Sequence, residues 1–127
     1  MHGGESGWRW LLWGGFVAAV LLMLVLANWP QPPLLPGSPS DIVQHASGFA
    51  VLTLAARLAF RDMRWQALAI GLSAFGLGIE IVQGLLPFGR NPSLQDWLID
   101  CLAIGAMLAC VGICQKLGQW WRAVARR

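Results

Sequence analysis

Charge is what this sequence is short of. Asp, Glu, Lys and Arg make up 12% of its 127 residues, against about 25% in an ordinary soluble domain. Apolar residues make up 57% and the mean hydropathy is +0.58. That balance excludes an ordinary water-soluble globular domain. The chain is short of length as well: four membrane spans of roughly 20 residues would take about 80 positions and leave no room for a second domain. Positive charge is not concentrated either. The net charge is +3, and the nine Lys and Arg are scattered over several segments instead of forming a stripe that could track phosphates, so nucleic acid is not an expected partner. Cysteine is scarce, and Cys101, Cys110 and Cys114 share one apolar stretch. Helix geometry points Cys110 and Cys114 along one face without joining their sulfurs, so all three read as small packing residues.

What is present is four apolar stretches, at about 10–28, 42–60, 65–86 and 97–114, each approaching the length that crosses hydrocarbon. The expected fold is all-α: a single domain over residues 1–127, built as an integral membrane bundle of four transmembrane helices. The second stretch carries His45 near its start and Arg57 near its end, where a long arginine stem can snorkel toward headgroups. Between the first two stretches, Pro30, Pro32, Pro33, Pro36 and Pro39 imply a stiff extended connector. The first stretch reads as an anchor, being long and flanked by tryptophan, although Val25, Leu26 and Ala27 would suit a signal-peptide cleavage site.

Orientation follows from the cations, because positively charged segments stay cytoplasmic. Arg9, Arg57, Arg61, Arg64, Lys116, Arg122, Arg126 and Arg127 fall on one side of the expected bundle, and only Arg90 falls on the other. Both termini and the turn around 61–64 are therefore expected in the cytoplasm, with the proline connector and the 87–93 loop outside. Trp8, Trp10, Trp65, Trp120 and Trp121 near inner ends, and Trp29 and Trp97 near outer ends, suit an interfacial belt.

An ionisable group at membrane depth costs several kcal/mol and marks a candidate site. Asp41 opens the second span, and His45 lies about 6 Å further in along the same face. Glu80 lies about 9 Å below the exit of the third span, with Gln83 and Gly84 on its face. Asp96 and Asp100 follow one another on the fourth. Groups at similar depth on three helices, with Arg90 in the neighbouring loop, predict a shared outward-facing polar pocket. Plainer roles exist for each. Asp41 or Ser40 can cap the second helix, and Ser93 with Asp96 fits a capping box. Arg90 can bind lipid phosphate, and Gly76, Glu80 and Gly84 at four-residue spacing can allow close helix packing. Glu80 and His45 have no nearby helix end to serve, which favours a functional pocket over a network that only fixes helix register.

Asp41, His45 and Phe49 spell D-x-x-x-H-x-x-x-F. Glu80, Gln83, Pro87, Gly89 and Arg90 spell E-x-x-Q-x-x-x-P-x-G-R, and Ser93, Asp96 and Asp100 spell S-x-x-D-x-x-x-D. Together these resemble the VanZ-like family of small bacterial membrane proteins, whose prototype is associated with reduced susceptibility to the glycopeptide antibiotic teicoplanin. The match spans residues 41–105. The chain departs from the family pattern at Ile42 and Asp100, where Lys and Asn are usual, and at Ala103 and Met107, where Gly is common. The resemblance implies a four-helix, multi-pass protein of the bacterial inner membrane with its site at Asp41, His45, Phe49, Glu80, Gln83, Arg90, Asp96 and Asp100.

The leading expectation for function is binding or handling of an amphipathic envelope molecule, such as a lipid-linked precursor or an acylated glycopeptide. Arg90 would hold phosphate or carboxylate, and His45, Glu80 and Asp100 would hold sugar or amide groups. One alternative is an intramembrane hydrolase or transferase with His45 as general base, although no nucleophile stands out. Others are a small dimeric proton-coupled exporter using Glu80, and an accessory subunit whose polar network only fixes packing. No metal or cofactor is expected, because a set from Asp41, His45, Glu80 and Asp100 offers a single histidine. A homo-oligomer is left open.

Overall fold

A computed structural model describes residues 3–29, 41–86 and 92–126, without the side chains of residues 3–6 and 41. The described residues are all-helical: α1 (Gly3–Asn28), α2 (Asp41–Ala59), α3 (Trp65–Leu85) and α4 (Leu94–Val124). All four are long and apolar enough to cross a membrane. Helices are what such apolar runs must form there, because each backbone N–H and C=O is satisfied within its own segment. The proline connector and the greater part of the 87–93 loop lie outside the described residues.

Helix ends follow local chemistry. Ser93 caps α4 in extended conformation, and its hydroxyl accepts from the Asp96 N–H at 3.3 Å, which is the expected first half of a capping box. At the end of α3, Leu86 is extended (φ −90°, ψ 135°), as befits a residue that precedes a proline in the sequence. The α2–α3 turn is tied by Arg57. Its Nη1 donates to the Phe60 and Arg61 carbonyls at 3.1 and 2.6 Å, and its guanidinium lies 4.9 Å from the Trp65 ring centroid. Arg57 thus folds onto its own helix end, where its reach had suggested snorkelling.

Consecutive helices run antiparallel. Trp13 and Phe16 of α1 stack edgewise on Phe60 just after α2, at 4.5 and 5.1 Å. At the opposite end, Gln83 near the end of α3 donates to the Ala27 carbonyl near the end of α1 at 2.7 Å. The Trp65 ring, opening α3, packs on Gly112 of α4. One end of the bundle, here the turn end, therefore holds the α2–α3 turn. The other, the site end, is where α1 and α3 finish and α2 and α4 begin. Helix α2 packs chiefly on α4 and α1, and α3 chiefly on α4.

The core is thin: Phe49, Leu52 and Ala56 of α2, Leu68, Leu72 and Ile79 of α3, Ile104 and Leu108 of α4, and Ala27. Many large apolar residues face outward, among them Leu21, Leu22, Val51, Ile70 and Leu102, while His45, Thr53, Glu80, Gln83 and Asp100 are buried. This inverts the distribution of a water-soluble bundle and matches one with an apolar surround. Two glycines permit the close approaches. A Cβ on Gly48 would lie 2.9 Å from the Met23 sulfur, and one on Gly84 would lie 3.1 Å from the Pro92 ring.

Two helices outrun the apolar stretches. Helix α1 begins at Gly3, and α4 covers 94–124 instead of 97–114. Polar residues from Gln115 onward end the apolar run but do not stop a helix, and no proline follows. Arg122 also serves the late carbonyls, its Nε donating to Gly118 O at 3.1 Å. Beyond Gly112, level with the start of α3, α4 continues for about 18 Å at the usual rise, carrying Lys116, Trp120, Trp121 and Arg122.

Candidate functional site

The site is built from three helices at one level. His45 is four residues into α2, Asp100 six residues into α4, and Glu80 five residues before the end of α3. Antiparallel packing brings these positions together. His45 Nδ1 lies 3.0 Å from Asp100 Oδ1, and the two form a buried hydrogen-bonded pair that joins α2 to α4. Glu80 Oε2 accepts the Ser93 N–H at 2.7 Å. Its other oxygen, Oε1, is buried and has no hydrogen-bond partner among the described residues. One donor atom from each of His45, Glu80 and Asp100 lies within 4.8 Å of the others. Their residual exposures are 6, 5 and 1%, so the three ionisable groups share a nearly closed compartment in an apolar bundle. Such burial is sustainable only when the groups compensate one another or a ligand does.

Gly76 makes room for this arrangement. A Cβ there would meet Phe49 Cζ at 3.1 Å and Asp100 Oδ2 at 3.2 Å. The Phe49 ring, fully buried one turn below His45 and 6.3 Å from Phe75, forms the apolar floor. The small residue expected on the Glu80 face for helix packing thus also admits a carboxylate.

Of the residues expected from the sequence, His45, Glu80 and Asp100 converge, and Phe49 lies directly beneath them. Gln83 is buried on the same helix, but its amide reaches α1 at Ala27. Asp96 is half-buried in the first turn of α4, and its backbone is held by the Ser93 cap. The Asp41 side chain and Arg90 lie outside the described residues.

One reading needs correction: Glu80 was expected to have no helix end to serve, yet it receives the backbone N–H of the residue that caps α4. Trp97, near the start of α4, donates its indole N–H to Ser73 O at 3.0 Å and so also joins α4 to α3. Ser73 went unnoticed in the sequence; it also receives the Cys101 thiol at 3.5 Å. Its spacing of three from Gly76 and seven from Glu80 places it on their face and was the available signal.

The described hydroxyls near the cluster are engaged locally. Ser47 Oγ bonds the Val43 and Gln44 carbonyls, Thr53 Oγ1 donates to Phe49 O, and Ser93 Oγ caps α4. The cluster therefore offers a proton acceptor or ligand donors, and among the described residues no hydroxyl is hydrogen-bonded to His45.

The Gln83 bridge carries a prediction of its own. Gln83→Leu, similar in volume but unable to reach the Ala27 carbonyl as a donor, is expected to lower stability by about 1 kcal/mol. The measurement is the midpoint of unfolding in mixed SDS micelles, with exposed Gln66→Leu as the control that leaves it unmoved.

No family profile matches the chain, and neither a curated protein nor a solved structure is similar to it beyond chance.

Proposed function

We propose that the chain is a VanZ-like multi-pass protein of the bacterial inner membrane, with both termini in the cytoplasm. In this reading its site end faces outward and binds the polar part of an amphipathic envelope molecule, either a lipid-linked precursor or an acylated glycopeptide. The observation that carries the proposal is the buried convergence of His45, Glu80 and Asp100 at one end of an otherwise apolar bundle. Exposed Ile42, Val43, Leu85, Leu94 and Leu98 stand around the same end and supply the apolar flank that an acyl chain needs. Arg90, five residues after α3 and four before α4 in the sequence, is assigned the phosphate or carboxylate of the ligand. The orientation is supported by cation placement. Arg61 and Arg64 lie at the turn end, where α1 also begins with Arg9, and Lys116 and Arg122 lie on the part of α4 beyond it.

Mass spectrometry of lipids that co-purify with the protein tests this reading. Wild type is expected to retain a species with a charged head that the Glu80→Ala, Arg90→Ala double variant loses. An identical lipid complement in the two inserted proteins would refute it.

One observation favours a second reading, an intramembrane hydrolase or transferase. A carboxylate bonded to His45 Nδ1 orients the ring and leaves Nε2 to act as a general base. Water or a substrate hydroxyl would then be the nucleophile.

A further inference from the structure

We infer that His45, Glu80 and Asp100 form a binding site for one divalent first-row transition cation, with zinc the best match. The inference rests on the donor set and stands apart from the lipid reading.

Distance is the first support. Three atoms no more than 4.8 Å apart fit within about 2.8 Å of a common point, so adjustments under about 1 Å give zinc-like bonds of about 2.0–2.2 Å. Small side-chain rotations together with small shifts of the helices supply that, since the three groups come from separate helices.

The second support is Glu80 Oε1. It is a buried carboxylate oxygen without a hydrogen-bond partner among the described residues, on a residue 5% exposed that belongs to the triangle. A network that served only to fix helix register would be expected to close on itself. Among the described residues, this one leaves a buried carboxylate oxygen open.

Charge is the third. Two carboxylates and a neutral imidazole balance a divalent cation, which removes the difficulty of placing two acidic groups side by side among apolar residues. A cation that takes His45 Nδ1 replaces its hydrogen bond to Asp100 Oδ1, the ring proton then residing on Nε2, and a proton leaves only where the pair holds one more than a neutral imidazole and a carboxylate.

Donor chemistry selects the ion. An imidazole nitrogen disfavours calcium and magnesium, which prefer all-oxygen shells, and the absence of thiolate from the set disfavours copper(I). Cys101, adjacent to Asp100 in sequence, directs its sulfur to Ser73 instead. Three protein donors leave a fourth position for water or for an anionic group of a bound molecule, the arrangement of zinc sites that act on ligands. A single histidine argued against a metal when the sequence was read alone; two buried carboxylates brought beside it make the set sufficient.

The test uses the 127-residue chain with a His2→Ala substitution and a tag free of histidine, purified in detergent, stripped with a chelator and titrated with zinc. Elemental analysis is expected to find one equivalent. Glu80→Gln and His45→Ala should each weaken binding by roughly 100-fold or more, while replacing all three cysteines by serine leaves it intact. Since the site variants could misfold, cobalt(II) added to the unmodified site gives a second readout: intense visible absorption bands of a four- or five-coordinate ion, removed by one equivalent of zinc. Negligible zinc uptake by folded protein would overturn the inference, as would unchanged binding in folded Glu80→Gln or loss of binding with the cysteines. Lipid retention in the stripped protein is scored separately, so either proposal can fail without the other.

Discussion

Asp100→Ala is expected to lower stability by about 3–5 kcal/mol. Asp100 is 1% exposed and holds His45 at 3.0 Å, so truncation leaves a buried imidazole facing an apolar gap and cuts the polar link between α2 and α4. Asp100→Asn should be far milder, near 1 kcal/mol by the usual worth of one neutral hydrogen bond, because the amide oxygen can still accept from the ring. Asn is also the residue that the VanZ-like pattern has at this position. Unfolding in mixed micelles, followed by far-UV circular dichroism, separates the two variants. Equal losses would mean that the carboxylate charge matters more than the hydrogen bond.

The second large effect is expected at Gly76. A methyl group there falls 3.1 Å from the Phe49 ring and 3.2 Å from Asp100 Oδ2, so a fully buried ring and a carboxylate bonded to His45 must both give way by a few tenths of an ångström. Gly76→Ala should therefore cost about 1–3 kcal/mol, as overpacking of a tight core does, and Gly76→Leu should prevent α3 from seating against α2 and α4. Gly71, one turn and a half earlier on the same helix, has open space around its Cβ position. Gly71→Ala should be neutral or mildly stabilising, by up to about 1 kcal/mol from helix propensity. The same micelle-unfolding experiment reads both, and equal behaviour of the two glycines would contradict the close approach at Gly76.

Much of the architecture was legible before any coordinates. Four apolar runs separated by prolines and by a short charged turn leave little choice of element, and the bounds of α2 and α3 lie within a residue of those runs. Depth was legible too: counting residues from the helix ends placed His45, Glu80 and Asp100 at one level, and there they meet. What stayed hidden involves backbone groups and helix length. The N–H of Ser93 that occupies Glu80 carries no mark in the sequence, so Glu80 looked freer than it is. Likewise, the indole of Trp97 suited an interface as well as it suits the Ser73 carbonyl. The extension of α4 escaped because hydropathy tracks the apolar surround, whereas a helix continues until something breaks it.

Polar side chains that begin on separate helices act as a single buried unit. A double-mutant cycle on His45 and Asp100 measures this directly, from the stabilities of His45→Ala, Asp100→Ala and the double variant in the same micelles. The predicted result is strong non-additivity, a coupling of about 1.5–3 kcal/mol, because the first truncation already forfeits what the second would remove. Losses that add to within about 0.5 kcal/mol would show that the two residues do not interact, and would contradict the account.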